Sequence, residues 1–257
     1  MKLLILGGTS DALKLCKLAL AQYEVIYSIK GQVRQPQLNC KIHSGGFGGV
    51  AGMVNFLQQQ HIHCLLDATH PYAVNISNHA KLAATHCSLP CFHYIRPAWQ
   101  QQENDHWIFF DTLAQLTALL NRNEDSRARL FFTIGQLTPE FIAQKNPQHY
   151  YIVRSAITSN IKRTSRIKWI KKIGPFALED ERTLFERYQI NALISKNSGG
   201  KSVEAKIQTA REKRLPVYLL KRPNFQSNYP IIFSIIEILL AVNQQCKAHN
   251  TIKNFHY

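Results

Sequence analysis

The sequence is poor in acidic residues. It contains 16 aspartates and glutamates against 31 lysines and arginines, which gives the 257-residue chain a formal net charge of +15 at pH 7. Such an excess predicts an anionic partner, which could be nucleic acid, a membrane surface or a polyanionic small molecule. The charge does not indicate a fold, but the 45% of apolar residues suffice for a large core and exclude general disorder.

Long apolar runs and regular cysteine spacing are absent too. The longest apolar stretch, Ile231 to Val242, contains Ser234 and Glu237 and is shorter than the ~20 residues that a bilayer requires. The amino-terminal apolar run stops at Leu6, before it reaches the length of a signal peptide. The six cysteines form no C-x-x-C pair, and no histidine cluster has metal-site spacing. We therefore expect a cytoplasmic protein with reduced cysteines, no membrane partner and no bound metal.

Short β-rich runs alternate with helical patterns along the chain. The first run, Leu3 to Leu6, is continuously apolar and ends in two glycines before a helical pattern begins. This alternation is typical of parallel sheets with helices on both faces. The polar stretch Gln100–Asp105 indicates a domain boundary. We predict two Rossmann-like or flavodoxin-like α/β domains, residues 1–100 and 101–257, with a cleft between them.

The first strand-to-helix turn has features of a phosphate-binding loop. Gly7, Gly8, Thr9 and Ser10 directly follow the first strand and open the first helix. Glycine lets the backbone approach a ligand closely, and the amino terminus of a helix attracts anions. The third glycine of the G-x-G-x-x-G pattern is missing, so a tight turn without a ligand is an equal alternative.

The end of the second strand favours NADP over NAD, provided that a dinucleotide binds. NAD-selective sites carry an acidic residue about 20 residues after the glycines, whereas NADP sites carry a cation. No carboxylate occurs between Tyr27 and Asp67. Ser28, Lys30 and Arg34 are therefore candidates for binding the 2′-phosphate, although each of the two cations, taken singly, is more often a solvated loop charge.

Two further segments of the first half contain candidate ligand contacts. The run Gly45–Gly49 places four glycines around Phe47, which suggests backbone packed against a flat or phosphorylated ligand, or else a flexible lid. The segment Asp67–Ala73 follows a predicted parallel strand, and ligands bind at that end of open α/β sheets. It gathers a carboxylate, a hydroxyl, an imidazole and a phenol, so we expect it to line a site.

Three further features of the chain are basic. The loop Lys196–Gly200 follows a predicted strand and precedes a helix, which repeats the phosphate-cradle pattern with lysine added. Arg96 and Arg222 each precede a proline, where a guanidinium can either face an anionic ligand or cap a helix. The run Lys162–Lys172 could contact nucleic acid, but an edge strand guarded by lysines is the more common explanation.

The ordered motifs resemble those of one known family. They are GGTSDA, GGFGG, DATHPYA, RPAW, TIGQ, VRS, GPF, KNSGG and KRP. In this order they resemble the precorrin-6A reductases, including the cobalt-precorrin-6A reductases, over roughly Met1 to Pro223. The segment after Pro223 and the basic run Lys162–Lys172 depart from the family pattern.

The resemblance implies NADPH-dependent reduction of one C=C bond, C18–C19, of a corrin precursor in cobalamin biosynthesis. It also implies two α/β domains with the cofactor and a polyanionic tetrapyrrole in the cleft, and no protein-bound metal. Carboxylates on the substrate would account for the positive charge without nucleic acid. Another NADP-dependent reductase on the same scaffold is the alternative, and a basic nucleic-acid-binding protein is less favoured.

The combined expectations assign roles to individual residues. Asp67, His70 and Tyr72 are expected to be catalytic, with His70 and Tyr72 orienting the substrate or passing a proton. The expected cofactor contacts are Gly7, Gly8, Thr9, Ser10, Ser28, Lys30, Arg34, Gly46, Phe47, Gly48 and Thr69. The expected substrate contacts are Arg96, Lys196, Asn197, Ser198, Gly199, Gly200 and Arg222.

Overall fold

The computed structural model describes residues 1–31, 35–122, 127–135, 137–157, 165–224 and 230–253, with only the backbone described for 246–253. The strands in these residues are β1 (Lys2–Leu6), β2 (Glu24–Ile29), β3 (Lys41–Ser44), β4 (Cys64–Asp67), β5 (Cys91–Tyr94), β6 (His106–Phe110), β7 (Arg129–Phe132), β8 (Tyr150–Ser155), β9 (Ile167–Lys171), β10 (Ala192–Lys196), β11 (Pro216–Leu220) and β12 (Ile231–Ile232). The helices are α1 (Ser10–Ala19), α2 (Gly49–Gln59), α3 (Val74–His86), α4 (Leu113–Leu120), α5 (Pro139–Gln144), α6 (Leu178–Arg187), α7 (Ala205–Glu212) and α8 (Ile235–Lys253), and Lys201–Val203 form a short 3-10 turn.

The chain divides into two compact α/β units. Unit 1 comprises Met1–Pro97 together with the chain from Pro223 onward, and unit 2 comprises Ala98–Arg222. Each unit contains one sheet of six strands whose observed pairings are all parallel. The expected α/β class with parallel sheets is therefore confirmed.

The two sheets share one strand order. In unit 1 the order is β12-β5-β4-β1-β2-β3, and in unit 2 it is β6-β11-β10-β7-β8-β9. By position, β7 corresponds to β1, β8 to β2, β9 to β3 and β10 to β4. The order reverses beside β1 in one sheet and beside β7 in the other, and such reversals create the crevices in which doubly wound sheets bind ligands.

Central strands are apolar on both faces because helices cover both sides of each sheet. Residues Leu3 to Ile5 of β1 have no exposed surface, and neither do Leu65 and Leu66 of β4. Alternate residues of β1 enter different cores, since Leu3 packs with the α1 side and Leu4 with the α2 and α3 side. This burial produces the continuous apolar runs seen in the sequence.

The carboxyl-terminal segment belongs to unit 1, not to the second domain as the boundaries 1–100 and 101–257 proposed. Strand β12 pairs with β5, with Ile231 opposite His93. On α8, Ile238 and Val242 are fully buried in the core that α1 covers. The sequence pattern could not reveal this return, because it depends on pairing between distant segments. No helix in the described part of the chain combines the length and apolar content needed to span a membrane.

The basic run of unit 2 forms an edge strand where it is described. Strand β9 pairs only with β8 in its sheet, and Lys168 and Lys171 on it are exposed. Residues 162–164 of the run lie outside the described residues. Exposed lysines discourage pairing with another chain, as expected of a guarded edge strand.

Candidate functional site

A cavity of about 510 Å³ opens at the carboxyl edge of the unit 1 sheet. Its volume lies within the range of sites for small molecules and cofactors. It extends past the ends of β4, β1, β2 and β3, which at about 4.8 Å per strand step is a span of roughly 14 Å. Its lining residues are Leu6, Gly7, Gly8, Ser28, Ile29, Lys30, Gly45, Gly46, Phe47, Thr69, His70, Tyr72, Ala73, Val74, Asn75, Ile76 and His79.

The glycine turn after β1 leaves open space at the middle of this cavity. A Cβ on Gly7 would lie 2.2 Å from the ring of Tyr27, and Gly8 has φ +100 with nothing within 4 Å of its Cβ position. Both positions therefore require glycine, the first for packing and the second for backbone conformation. The Gly8 N–H donates to Tyr27 Oη at 3.1 Å, so Gly8 offers a ligand open space while its donor is engaged.

The start of α1 is stabilised by Thr9. Its Oγ1 accepts from the Ala12 N–H at 3.0 Å and donates to the Ala68 carbonyl at 3.1 Å. The second bond ties the turn after β1 to the loop after β4. Thr9 and Ser10 do not line the cavity through their side chains. The first turn of α1 still favours an anion there, because helix amino termini carry N–H groups and a partial positive charge.

Arg96 lies beside this same helix start. Its guanidinium donates to Asp11, in the first turn of α1, at 2.9 Å, and both side chains are mostly buried. The structure therefore places Arg96 in unit 1, where it balances a carboxylate near the glycine turn. Its expected role as a substrate contact remains a prediction.

The end of β2 supplies the cation expected of an NADP site. Ser28 is buried at the cavity wall, and Lys30 is exposed at its rim. The Ser28 carbonyl accepts from the Gly7 N–H at 2.8 Å, which joins the ends of β1 and β2. Arg34 lies outside the described residues.

Phe47 forms the cavity wall beyond β3, and two further aromatic rings pack against it. The rings of His43 and Phe47 stack with 4.6 Å between centroids and an interplanar angle of 22°, and Phe56 packs against both. Burial lowers the pKa of His43, against an opposing hydrogen bond with the Gly46 backbone, so the stacked imidazole is neutral near pH 7. Gly48 has φ +78 as the N-cap of α2 and does not line the cavity.

Asp67 lies behind the cavity wall and not on it. Its carboxylate is fully buried, and Oδ1 accepts from Thr69 Oγ1 at 2.7 Å and from the Thr69 N–H at 3.0 Å. Oδ2 lies 3.3 Å from Nε2 of His93, which is also fully buried. Burial lowers the pKa of His93, while the charge of Asp67 opposes that effect. Asp67 thus orients Thr69, and this geometry does not expose its carboxylate to a ligand.

His93 is a partner that sequence reasoning missed. It lies opposite Asp67 in the register between β4 and β5. In the sequence, His93 is a single histidine within an otherwise apolar strand, and this pattern is more typical of the core than of a functional site. Knowing that β4 and β5 are neighbours would have been the only signal.

His70 and Tyr72 both line the cavity at the end of β4. Their ring centroids lie 5.6 Å apart, and the Tyr72 N–H donates to His70 Nδ1 at 3.3 Å. Since Nδ1 accepts this bond, the proton of the neutral imidazole lies on Nε2. The structure therefore brings an N–H donor and a phenol to one end of the cavity, as the sequence predicted.

The expected substrate loop lies in unit 2, at the carboxyl end of β10. Asn197 is buried, and its Oδ1 accepts from the Trp99 N–H at 2.9 Å. Arg222 Nε donates to the Asn197 carbonyl at 2.7 Å. Burial lowers the pKa of Lys196, as desolvation does for any lysine. Asn197 and Arg222 are thus engaged in holding the loop, whereas Lys196 is the cation at its start.

The described part of the chain contains no group of three or more His, Cys, Asp or Glu side chains that could hold a metal ion.

The expected catalytic and cofactor-binding residues divide into three groups. Arg34 alone lies outside the described residues. Thr9, Ser10, Gly48 and Asp67 lie near the cavity or behind it without lining it. The expected residues that line it are Gly7, Gly8, Ser28, Lys30, Gly46, Phe47, Thr69, His70 and Tyr72.

Comparisons with known proteins agree with this architecture. The family model described as "Precorrin-6x reductase CbiJ/CobK" matches residues 2–243. The chain is 33% identical over 226 residues to a precorrin-6A reductase of Rhodococcus erythropolis, covering 86% of this chain and 89% of that one. It is 34% identical over 227 residues to a precorrin-6A reductase of Sinorhizobium sp., covering 86% and 85%.

A solved structure, described as "CobK precorrin-6A reductase", has the same fold. It superposes with a TM-score of 0.86 at 30% sequence identity, and the match covers 95% of this chain and 96% of that one. The chain therefore belongs to the precorrin-6x reductase CbiJ/CobK family.

Proposed function

We propose that this chain reduces the C18–C19 double bond of precorrin-6A with NADPH, as a step of cobalamin biosynthesis. The family supports the reaction class and the tetrapyrrole substrate. The observation that carries the cofactor assignment is the cavity over the glycine turn, because a reductase on a doubly wound sheet needs a cradle for a nucleotide at that edge. The residues present fit such a group, since the Cβ positions of Gly8, Gly45 and Gly46 at the cavity have nothing within 4 Å.

In this proposal the dinucleotide lies across the cavity in one direction. A pyrophosphate above β1 and the start of α1 would direct one nucleoside towards β2 and β3 and the other towards β4. Lys30 lies on the β2 side, and the 2′-phosphate of NADP takes a cation at that position. The adenine end then lies near Phe47, and the nicotinamide end lies near Thr69 and His70.

At the nicotinamide end of the cavity, the protein's side chains orient the substrate and supply a proton. NADPH supplies a hydride, and a proton at the adjacent carbon completes the reduction and leaves NADP⁺. Thr69 is fixed by Asp67, so its hydroxyl keeps one orientation at the cavity wall. His70 Nε2–H and the Tyr72 phenol are the proposed groups that orient the substrate or pass that proton. Alignment of the two reacting carbons is the larger contribution that the fold makes.

Unit 2 supplies the cationic contacts for the substrate in this proposal. Lys196 begins the loop. Ser198, Gly199 and Gly200 come after it, and their small side chains let carboxylates approach the backbone. Charge-assisted bonds to carboxylates are the strongest that such a loop can make. The net charge of +15 attracts a substrate that carries several carboxylates.

The test is a direct assay of the reaction. Purified protein is mixed with precorrin-6A and NADPH, and nicotinamide oxidation is followed by absorbance while mass spectrometry measures the tetrapyrrole. We expect one NADPH consumed per substrate and a mass gain of two hydrogens, with NADH a poorer donor. Parallel assays with the cobalt complex identify which form is preferred. No oxidation with either form would contradict the proposal.

A further inference from the structure

The segment that follows β10 in unit 2 is held in place by several separate parts of that unit. Asn197 is bonded to Trp99 and Arg222, as described above. At the far end of the segment, the Ser202 carbonyl accepts from the Phe176 N–H at 3.1 Å. The Val203 carbonyl accepts from Nζ of Lys206 at 2.8 Å. Residues 197–203 form what we call the substrate loop.

Behind Phe176 lies a buried ion pair that the proposed reaction does not use. Arg154 on β8 is 5% exposed, and Glu181 on α6 is 1% exposed. The guanidinium makes two parallel hydrogen bonds to the carboxylate, through Nη1 and Nη2. Such a paired arrangement fixes the plane of the guanidinium as well as its position.

The oriented guanidinium in turn packs against the ring of Phe176, the residue whose N–H is bonded to the loop. The Arg154 guanidinium lies 3.6 Å from the ring centroid of Phe176 and 4.8 Å from that of Phe131. Phe131 is fully buried in the sheet, so Arg154 is held from one side by the core and presents its other face to Phe176. A Cβ on Gly174 would lie 3.3 Å from the Phe176 ring and 3.4 Å from the Ser202 carbonyl, which shows how closely these segments pack.

Lys206 completes the cluster on the other side. It is 5% exposed, and its ammonium lies 5.2 Å from the Trp99 ring centroid. The cluster therefore contains two buried basic side chains and one carboxylate. Apolar residues of similar volume are often as stable as a buried ion pair, so stability alone gives little reason for charges here. The contacts with Phe176 and Val203 give another reason, which is the position of the loop.

We propose that Arg154 and Lys206 are positioning residues that set the conformation of the substrate loop. Arg154 acts through Phe176 on Ser202, and Lys206 acts directly on Val203. This inference depends on the proposed function, since it assigns to the cluster the task of holding the loop that contacts the carboxylates of the tetrapyrrole. Neither residue needs to touch the substrate.

The main test removes the ion pair without leaving a buried charge. The double variant Arg154→Met/Glu181→Leu replaces both partners with apolar side chains, and Lys206→Met is a separate single variant. Hydrogen exchange followed by mass spectrometry compares the peptide containing Phe176 and the peptide over 198–204 with a peptide over α4, which packs in the other core of unit 2. In each variant we expect at least tenfold faster exchange in the loop peptides and an unchanged rate in α4.

Kinetics then separates positioning from general weakening. At temperatures far below unfolding, KM for precorrin-6A should rise about tenfold in both variants while the Kd for NADPH stays unchanged. Arg154→Lys keeps the charge but loses the planar stack, so it should resemble the double variant. The control is Arg182→Met. Arg182 lies on the same helix as Glu181 and forms an exposed ion pair with Glu212 on α7, so this variant should change none of these values.

The outcomes distinguish the two proposals. Unchanged loop exchange in both variants, or equal acceleration in α4, would overturn the positioning role. Faster loop exchange with an unchanged KM for precorrin-6A would support positioning and contradict the assignment of the loop to the substrate. A rise in the Kd for NADPH alone would overturn the inference, because it would link the cluster to the cofactor.

Discussion

The two units have one strand order but opposite kinds of ligand edge. In unit 1 the segments after β1 and β3 are rich in glycine, and they border an open cavity of about 510 Å³. In unit 2 the segment after β10 is fastened by side-chain bonds, such as Asn197 to Trp99 and Lys206 to Val203. A shared topology therefore does not decide what an edge binds, because the residues after each strand do.

Two phenylalanines show this difference at corresponding positions. Phe47 follows the edge strand β3, and its ring is part of the cavity wall with His43 stacked on it. Phe176 follows the edge strand β9, and the Arg154 guanidinium covers its ring at 3.6 Å. The first ring is available to a flat ligand, whereas the second supports a loop. The predictions below test whether the two edges are as separate as this comparison indicates.

The largest expected effect is at the glycine turn of unit 1. The variant Gly7→Ala places a Cβ 2.2 Å from the Tyr27 ring, and overpacking of this kind costs about 1–3 kcal/mol. We expect the Kd for NADPH, measured by calorimetry, to rise about 100-fold if the turn bears that whole cost.

A second-site variant tests the cause of that loss. Tyr27→Leu in the same chain removes the overlapping ring atoms, so Gly7→Ala/Tyr27→Leu should recover part of the affinity for NADPH. If Gly7→Ala binds NADPH as the unmodified chain does, the glycine turn does not hold the cofactor.

The next effect concerns the loop of unit 2. Replacing Lys196 with alanine removes one cation from the proposed carboxylate site, and a charge-assisted bond contributes about 1.5–3 kcal/mol. We expect KM for precorrin-6A to rise about tenfold, with the difference shrinking as salt is added. The Kd for NADPH should stay constant. A change in the Kd for NADPH without a change in KM would contradict the assignment of the substrate to unit 2.

A smaller effect is expected at the end of β2. Lys30 is exposed, and exposed ion pairs contribute about 0.2–1 kcal/mol. Lys30→Ala should therefore raise KM for NADPH about fivefold and leave KM for NADH almost unchanged, in parallel steady-state assays. Equal changes for both nucleotides would remove Lys30 from the 2′-phosphate site.

The last expected effect is a pH dependence of the stability of unit 2. Burial, followed by the charge of Arg154, lowers the pKa of Lys206 to about 7, against about 10.4 in an unfolded chain. The unfolded state then binds more protons between pH 7 and pH 10, so the free energy of unfolding should rise with pH there by about 1 kcal/mol per unit. The destabilisation is complete below pH 7.

Tryptophan fluorescence can follow this dependence in unit 2 alone, because all three tryptophans lie in that unit. Denaturant unfolding at pH 7, 8 and 9 should give a steeper pH dependence for the unmodified chain than for Lys206→Met. The control Lys213→Met removes a surface lysine paired with Glu186 and should keep the full slope. If the stability of all three proteins changes with pH in parallel, burial does not lower the pKa of Lys206.

Much of the fold could be predicted from periodicity, because parallel strands buried on both faces read as short apolar runs. Leu3 to Leu6 predicted β1 for that reason, and all four residues are buried. The return of the chain after Pro223 to unit 1 could not be predicted. It depends on β12, two residues long, pairing with β5, and neither propensity nor spacing encodes that choice.

Sequence chemistry at strand ends located residues that line the cavity, whereas chemistry within strands did not. Lys30, Thr69 and His70 follow strands, and all three line the cavity. Asp67 is the last residue of its strand, and its side chain points away from the cavity surface towards His93. One position along a strand reverses the side that a residue faces. The position of Thr69 and His70 at the cavity therefore does not predict that the Asp67 carboxylate also faces it.

The central claim is that NADPH binds to unit 1 and the tetrapyrrole to the loop of unit 2. Hydrogen exchange by mass spectrometry, with each ligand added separately, tests it most directly. The account predicts that NADPH slows exchange in peptides over residues 7–12, 28–31 and 45–50 and leaves 197–203 unchanged, while precorrin-6A slows exchange in 197–203. Protection of 197–203 by NADPH, with none over the glycine turn, would contradict it.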